Sequence, residues 1–124
     1  MNQSLVGATA ALLGGSGVVL AALGSHAITF EDSQAIRLWD IAVQMHLAHA
    51  VAILACAVAA KMFNRRALNR CALLMSAGVV MFSGSLYLVA AGSDQVPGII
   101  TPLGGFLLIV SWTWMGAILL RKSD

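Results

Sequence analysis

Two histidines three positions apart, His46 and His49, are the side chains of this sequence best equipped to bind or transfer something. On a helix that spacing puts both imidazoles on one face, with Ala42 a turn before and Ile53 a turn after. Such a pair could chelate a metal, ligate a haem or relay a proton. As a metal site it is incomplete, because a closed site needs three or four ligands and no Cys or Glu falls at that depth. The competing reading is structural, with the imidazoles bonded to serine or tyrosine hydroxyls on a neighbouring helix. The string Ser83-Gly84-Ser85-x-Tyr87 would supply those hydroxyls, its serines bonding to backbone carbonyls or across to the histidine-bearing helix while Gly84 permits close approach. Asp40 is a third candidate, either a functional carboxylate or a boundary one bonded to Gln44 or paired with Arg37 or His26.

Other chemistry is missing from the pattern. There is no catalytic triad and no nucleophile elbow, and Gly104-Gly105 lacks the lysine and following Ser or Thr of a phosphate loop. The expectation is therefore a non-enzymatic protein with no catalytic residues and no required cofactor, haem or metal on His46 and His49 standing as an alternative. Cys56 and Cys71 show no ligand spacing and read as packing residues.

The elements that must carry these groups are dictated by composition. The 124 residues are 60% hydrophobic and only 10% charged, with a mean hydropathy of +0.90, against roughly 25% charged residues in a soluble domain. So few charges cannot cover a water-facing surface, and lipid must cover it instead. Four apolar runs, about 5–27, 38–60, 71–91 and 99–120, each approach the ~20 residues that cross a hydrocarbon core. None alternates like a barrel strand, so the expected fold class is all-α: a single membrane domain forming a four-transmembrane-helix bundle. Ser25-His26-Ala27 loosely matches a signal-peptidase site. The apolar run before it is longer than the ~7–15 residues of a signal sequence and has no basic segment ahead of Leu5, so it reads as a retained span.

Charge sets the expected orientation. Lys61, Arg65, Arg66 and Arg70 lie between the second and third runs, and Arg121 and Lys122 follow the fourth, six of the seven basic residues in all. The positive-inside rule then puts both termini in the cytoplasm and the protein in the plasma (inner) membrane. The net charge of +2 needs no nucleic-acid partner, since the basic residues sit in short loops. Thr29 or Asp32 is placed to cap the second helix, Trp39 to anchor it at the interface, and Thr101-Pro102 to open the fourth.

At ~1.5 Å per residue, Gln44 and His46 sit roughly 9 to 12 Å below the start of the second span and His49 near the bilayer centre. His26 and Asp40 lie near the outer boundary. The third helix runs the opposite way, so Ser83, Ser85 and Tyr87 share that outer half, close to Thr101. The expected site is thus one outer-leaflet polar cluster of His26, Asp40, Gln44, His46, His49, Ser83, Ser85, Tyr87 and Thr101. Small residues line the first helix in two stripes, Gly7-Ala11-Gly15 and Gly17-Ala21-Ser25, suited to packing inside the bundle or to pairing with a second copy or another membrane protein.

Four strings in order, Ala22-Leu23-Gly24-Ser25-His26, Gln44 to Ala50, Phe82-Ser83-Gly84-Ser85-Leu86-Tyr87, and Thr101-Pro102-Leu103-Gly104-Gly105 with Trp112, resemble the YgdD/YwdK-like family of small membrane proteins, a domain of unknown function with eukaryotic relatives. The resemblance covers essentially the whole chain. It implies a four-span inner-membrane protein and supplies no chemistry. It also implies that His26, His49, Ser83, Ser85 and Tyr87 occupy positions the family typically fills in this way, whereas Met45 and Ala48 stand where the family commonly has tyrosine. The functional expectation is a membrane protein that binds lipid or a partner subunit through the outer cluster. The alternatives are a small proton, ion or solute transporter component and a haem or metal binder.

Overall fold

The computed structural model describes residues 2–121, and Lys122 lies outside the described residues. Within them the chain forms four helices, α1 (Gln3–His26), α2 (Ser33–Met62), α3 (Ala67–Ala90) and α4 (Ile100–Leu120), each long and apolar enough to span a bilayer. The expected fold class holds. The α1 helix begins where Asn2 turns its Oδ1 to the amide of Ser4. Asp32 caps α2 by accepting from the Ala35 amide at 2.8 Å, so of the two proposed caps it is Asp32 and not Thr29 that acts. This start lies five residues before the apolar run, and α2 reaches 30 residues. At 1.5 Å per residue that is roughly 45 Å, longer than the hydrocarbon core, so the first turns of α2 project beyond it.

The turns follow local chemistry. After α2, Asn64 takes a positive φ of 50° and the Arg65 amide bonds back to the Ala60 carbonyl, a Schellman closure. After α3, Gly92 does the same with φ 97°, and the Ser93 amide reaches the Leu88 carbonyl. Arg65 then folds across the end of the bundle, its guanidinium donating to the carbonyls of Ile118 and Arg121 at the last turn of α4. A cation there satisfies carbonyls that have no helical partner and lies at the negative end of the helix dipole.

Neighbours in sequence are neighbours in space: α1 packs on α2, α2 on α3 and α3 on α4, with α1 touching α3 lightly. The two middle helices form the centre, with 44% of their most apolar stretches buried against 17% in α1 and 22% in α4. The largest core cluster joins Val6 and Ala10 of α1 to Ile53 and Cys56 of α2, Met75 and Val79 of α3 and Leu108 of α4. Outward faces carry large apolar side chains such as Leu12, Val51, Val80 and Phe106. An apolar surface of that extent on all sides suits lipid and not water.

Glycines set the closest approaches. A Cβ on Gly104 would lie 2.4 Å from the Phe82 amide nitrogen, so α4 rests directly on the backbone of α3 there. On α1 the stripes divide. Gly17 meets Leu47 and Gly24 meets the Trp39 indole, while Gly7 and Gly15 have nothing within 4 Å and Ala11 is exposed. Packing within the chain therefore uses the glycines of the second stripe's side and leaves Gly7-Ala11-Gly15 open.

Candidate functional site

Polar side chains of all four helices bond to one another, with His46, His49, Ser83 and Ser85 buried in the bundle and Ser16 and Trp112 at its exposed flanks. His46 is 5% exposed, with Nδ1 3.0 Å from the Tyr87 hydroxyl and Nε2 3.3 Å from Ser16 Oγ. Ser16 gives its single proton to the Leu13 carbonyl. With that proton on Leu13, Nε2–H of His46 donates to Ser16 and the Tyr87 hydroxyl donates to Nδ1. His49 is fixed the other way. Its Nδ1–H donates to the Met45 carbonyl at 2.7 Å, and its Nε2 accepts from the Trp112 indole N–H at 3.0 Å. An indole is a donor only and a carbonyl an acceptor only, so this ring is held as the neutral Nδ1–H form. All four ring nitrogens are engaged.

The serines complete the lattice. Ser83 is fully buried and donates across to the Ala42 carbonyl of α2 at 2.8 Å. Ser85 lies 2.6 Å from the Thr101 hydroxyl, joining α3 to α4, and also bonds to the Phe82 carbonyl of its own helix. Cys71 donates to the Ser111 carbonyl, and the Cys56 thiol sits 3.4 Å from the Met115 sulfur. In a medium without water each of these groups needs a protein partner, and each has one.

Of the nine expected site residues, His46, His49, Ser83, Ser85, Tyr87 and Thr101 take part in these interior bonds. His26, Asp40 and Gln44 do not: all three are exposed. Among the described residues Asp40 bonds to none of Gln44, Arg37 and His26, contrary to the pairing expected for it. Gln44 and His46 are two residues apart, roughly 200° around a helix, so they cannot both face inward. His49 also differs from expectation, since its partner is Trp112 of α4 and not a hydroxyl of α3. Trp39 is no interfacial anchor. It is 5% exposed, wedged against Gly24 and Tyr87, with its indole N–H on the Leu20 carbonyl at 3.0 Å. Ser16, Trp39 and Trp112 are the members that sequence reading missed. The signal for the two tryptophans was an indole N–H that an apolar span must satisfy. Among the described residues no three His, Cys, Asp or Glu side chains cluster as metal ligands.

Beside this lattice, α3, the connection after it and Ile100 at the start of α4 line an open groove of about 540 Å³. Val80, Gly84, Leu88 and Ile100 give it apolar walls, and Ser93 and Gln95 of the connection give it a polar end. Ser85, bonded to Thr101, lies along it, and a Cβ on Gly84 would meet nothing within 4 Å.

A family model described as "Protein of unknown function (DUF423)" matches residues 20–105, the stretch that holds both the histidine pair and the groove. The chain belongs to this family. Among its relatives, the UPF0382 membrane protein YwdK of Bacillus subtilis is 36% identical over 110 residues, covering 87% of each chain. A UPF0382 membrane protein of Haemophilus influenzae is 34% identical over 97 residues, 77% of each chain. The UPF0382 inner membrane protein YgdD of Escherichia coli is 30% identical over 117 residues, 92% of this chain and 89% of the relative. No solved structure matches. Family membership and the four spans together make this DUF423 member a multi-pass membrane protein.

Proposed function

We propose that this DUF423 protein is a non-enzymatic protein of the plasma (inner) membrane that holds a membrane lipid in the groove between α3 and α4. The observation that carries the reading is the groove's polarity gradient. Its walls of Val80, Gly84, Leu88 and Ile100 suit an acyl chain, and Ser93 and Gln95 at the connection suit the ester and headgroup region of the same molecule. Its volume falls within the range of small-molecule pockets. The interior histidines support a structural role for the rest of the polar cluster, because every ring nitrogen is already engaged by a neighbouring helix or its own. In the membrane, the charge distribution favours cytoplasmic termini: Lys61, Arg65, Arg66 and Arg70 all flank the α2–α3 connection.

Lipid retention tests the reading. Protein purified in mild detergent and sprayed intact in a mass spectrometer should carry one phospholipid. Gly84→Phe, which fills open space and not a neighbour, should lose that lipid while melting like the parent. Retention unchanged in Gly84→Phe would reject the groove as the lipid's seat.

A further inference from the structure

The opposite end of the bundle holds a second pocket of different chemistry. It has a volume of about 520 Å³ and is lined by Asn2, Gln3, Arg66, Asn69 and Arg70. Helices α1 and α3 run parallel, so both begin here, and neither has an acidic residue in its first turn. The α3 start also lacks any side-chain cap. Two positive helix ends therefore converge on one pocket, a standing attraction for an anion. Arg66 and Arg70, a turn apart and both exposed, add two full charges, and neither is ion-paired or hydrogen-bonded through its side chain among the described residues. The described carboxylates, Glu31, Asp32, Asp40 and Asp94, all belong to the other end of the bundle.

One buried group separates this pocket from a generally basic surface. Asn69 lines it, is only 3% exposed, and its Oδ1 finds no hydrogen-bond partner among the described residues. Oδ1 is closed off from the pocket, so the atom of this amide that a ligand can reach is its nitrogen, a donor that suits an anion's oxygen. A phosphate or phosphodiester meets the arginines, the helix ends and this amide together.

We propose that this pocket binds the headgroup of an anionic glycerophospholipid, with its phosphate oxygens on Arg66, Arg70, the two helix starts and the amide nitrogen of Asn69. The pocket lies where the spans end, which is the depth of the headgroups. The inference does not depend on the groove between α3 and α4, which is at the other end of α3.

The full chain in mild detergent is titrated with dioctanoyl phosphatidylglycerol, dioctanoyl phosphatidylcholine, dioctanoyl phosphatidic acid and inorganic phosphate, with bound species counted by native mass spectrometry. Phosphatidylglycerol should bind ahead of phosphatidylcholine. Arg66→Gln and Arg70→Gln should each weaken it by about fivefold, the effect of one basic residue at an anionic surface. Arg37→Gln, at the other end, should leave it unchanged. Asn69→Leu should weaken phosphatidylglycerol and phosphatidic acid together and leave unchanged their ratio, which is taken within one sample and so insensitive to the fraction folded. If Asn69→Leu does not fold, the two exposed arginines carry the test. Equal binding of phosphatidylcholine and phosphatidylglycerol, or undiminished binding in Arg66→Gln and Arg70→Gln together, would overturn the proposal. Displacement of phosphatidylglycerol by an equal concentration of inorganic phosphate would overturn its assignment to lipid.

Discussion

Substituting Gly104 by alanine should separate close helix packing from mere glycine abundance. The added Cβ would stand 2.4 Å from the Phe82 nitrogen and 2.9 Å from the Met81 carbonyl carbon. Favourable carbon contacts lie near ~3.5–4.0 Å, so α4 must retreat by roughly 1 Å. The obstacle is backbone and cannot rotate away. The retreat also pulls on the Ser85–Thr101 bond, less than a turn from Gly104, and on Leu108, which fills the space beside Gly78. Overpacking of this kind costs about 1–3 kcal/mol. Alanine also gains about 1 kcal/mol over glycine as a helix former. Gly116→Ala supplies the reference, because its Cβ would meet nothing within 4 Å and it collects the helix gain alone. Unfolding free energies measured by steric trapping in bicelles should therefore place Gly104→Ala about 1–3 kcal/mol below Gly116→Ala. Equal stabilities would mean that α3 and α4 are not in backbone contact at this level.

Four further outcomes follow from the same geometry. A double-mutant cycle with His49→Phe and Trp112→Phe should give a coupling of about 0.6 kcal/mol and at most ~1.7, the range for hydrogen bonds between membrane helices, read from the same unfolding assay. Zero coupling would break the α2–α4 link. Gly24→Ala would place a Cβ 2.2 Å from Trp39 Nε1, so it should displace the indole from the Leu20 carbonyl, visible as a shifted indole N–H resonance in a Trp-labelled sample. Asp40→Asn, at an exposed carboxylate with no bonded partner among the described residues, should change stability by no more than about 0.5 kcal/mol; a larger loss would show that Asp40 has a role the fold does not account for. Reporter fusions at either terminus should be active only in the cytoplasmic form, and a fusion in the connection between α3 and α4 only in the external form.

How much of this was legible beforehand depends on what the sequence constrains. The four spans were, because each run had to be apolar for about the thickness of the membrane, and the α3 and α4 boundaries follow the turn chemistry of Gly92 and Pro97-Gly98. The apolar run of the second span starts only at Leu38, because Ser33–Arg37 is mostly polar. Asp32 can nevertheless begin the helix outside the apolar zone. What was not legible is helix rotation. A soluble helix shows its buried face as an apolar stripe, but these helices are apolar almost all round, so little marks which side turns inward. Hence depth along the chain groups Gln44 with His46 although they point apart, and pairs His49 with the hydroxyls of α3 although it meets Trp112. The inner role of Trp39 was hidden for the same reason, since a tryptophan near a span's end reads as an anchor unless the facing residue, here Gly24, is known. The groove between α3 and α4 left no motif, being a gap between side chains.

Whether a lipid occupies that groove, as proposed, is decided by photo-cross-linking in nanodiscs with a phospholipid carrying a diazirine on its acyl chain. Label should concentrate on Val80, Gly84, Leu88 and Ile100. Label spread evenly over the other lipid-facing positions, such as Leu12, Val51 and Phe106, would contradict it.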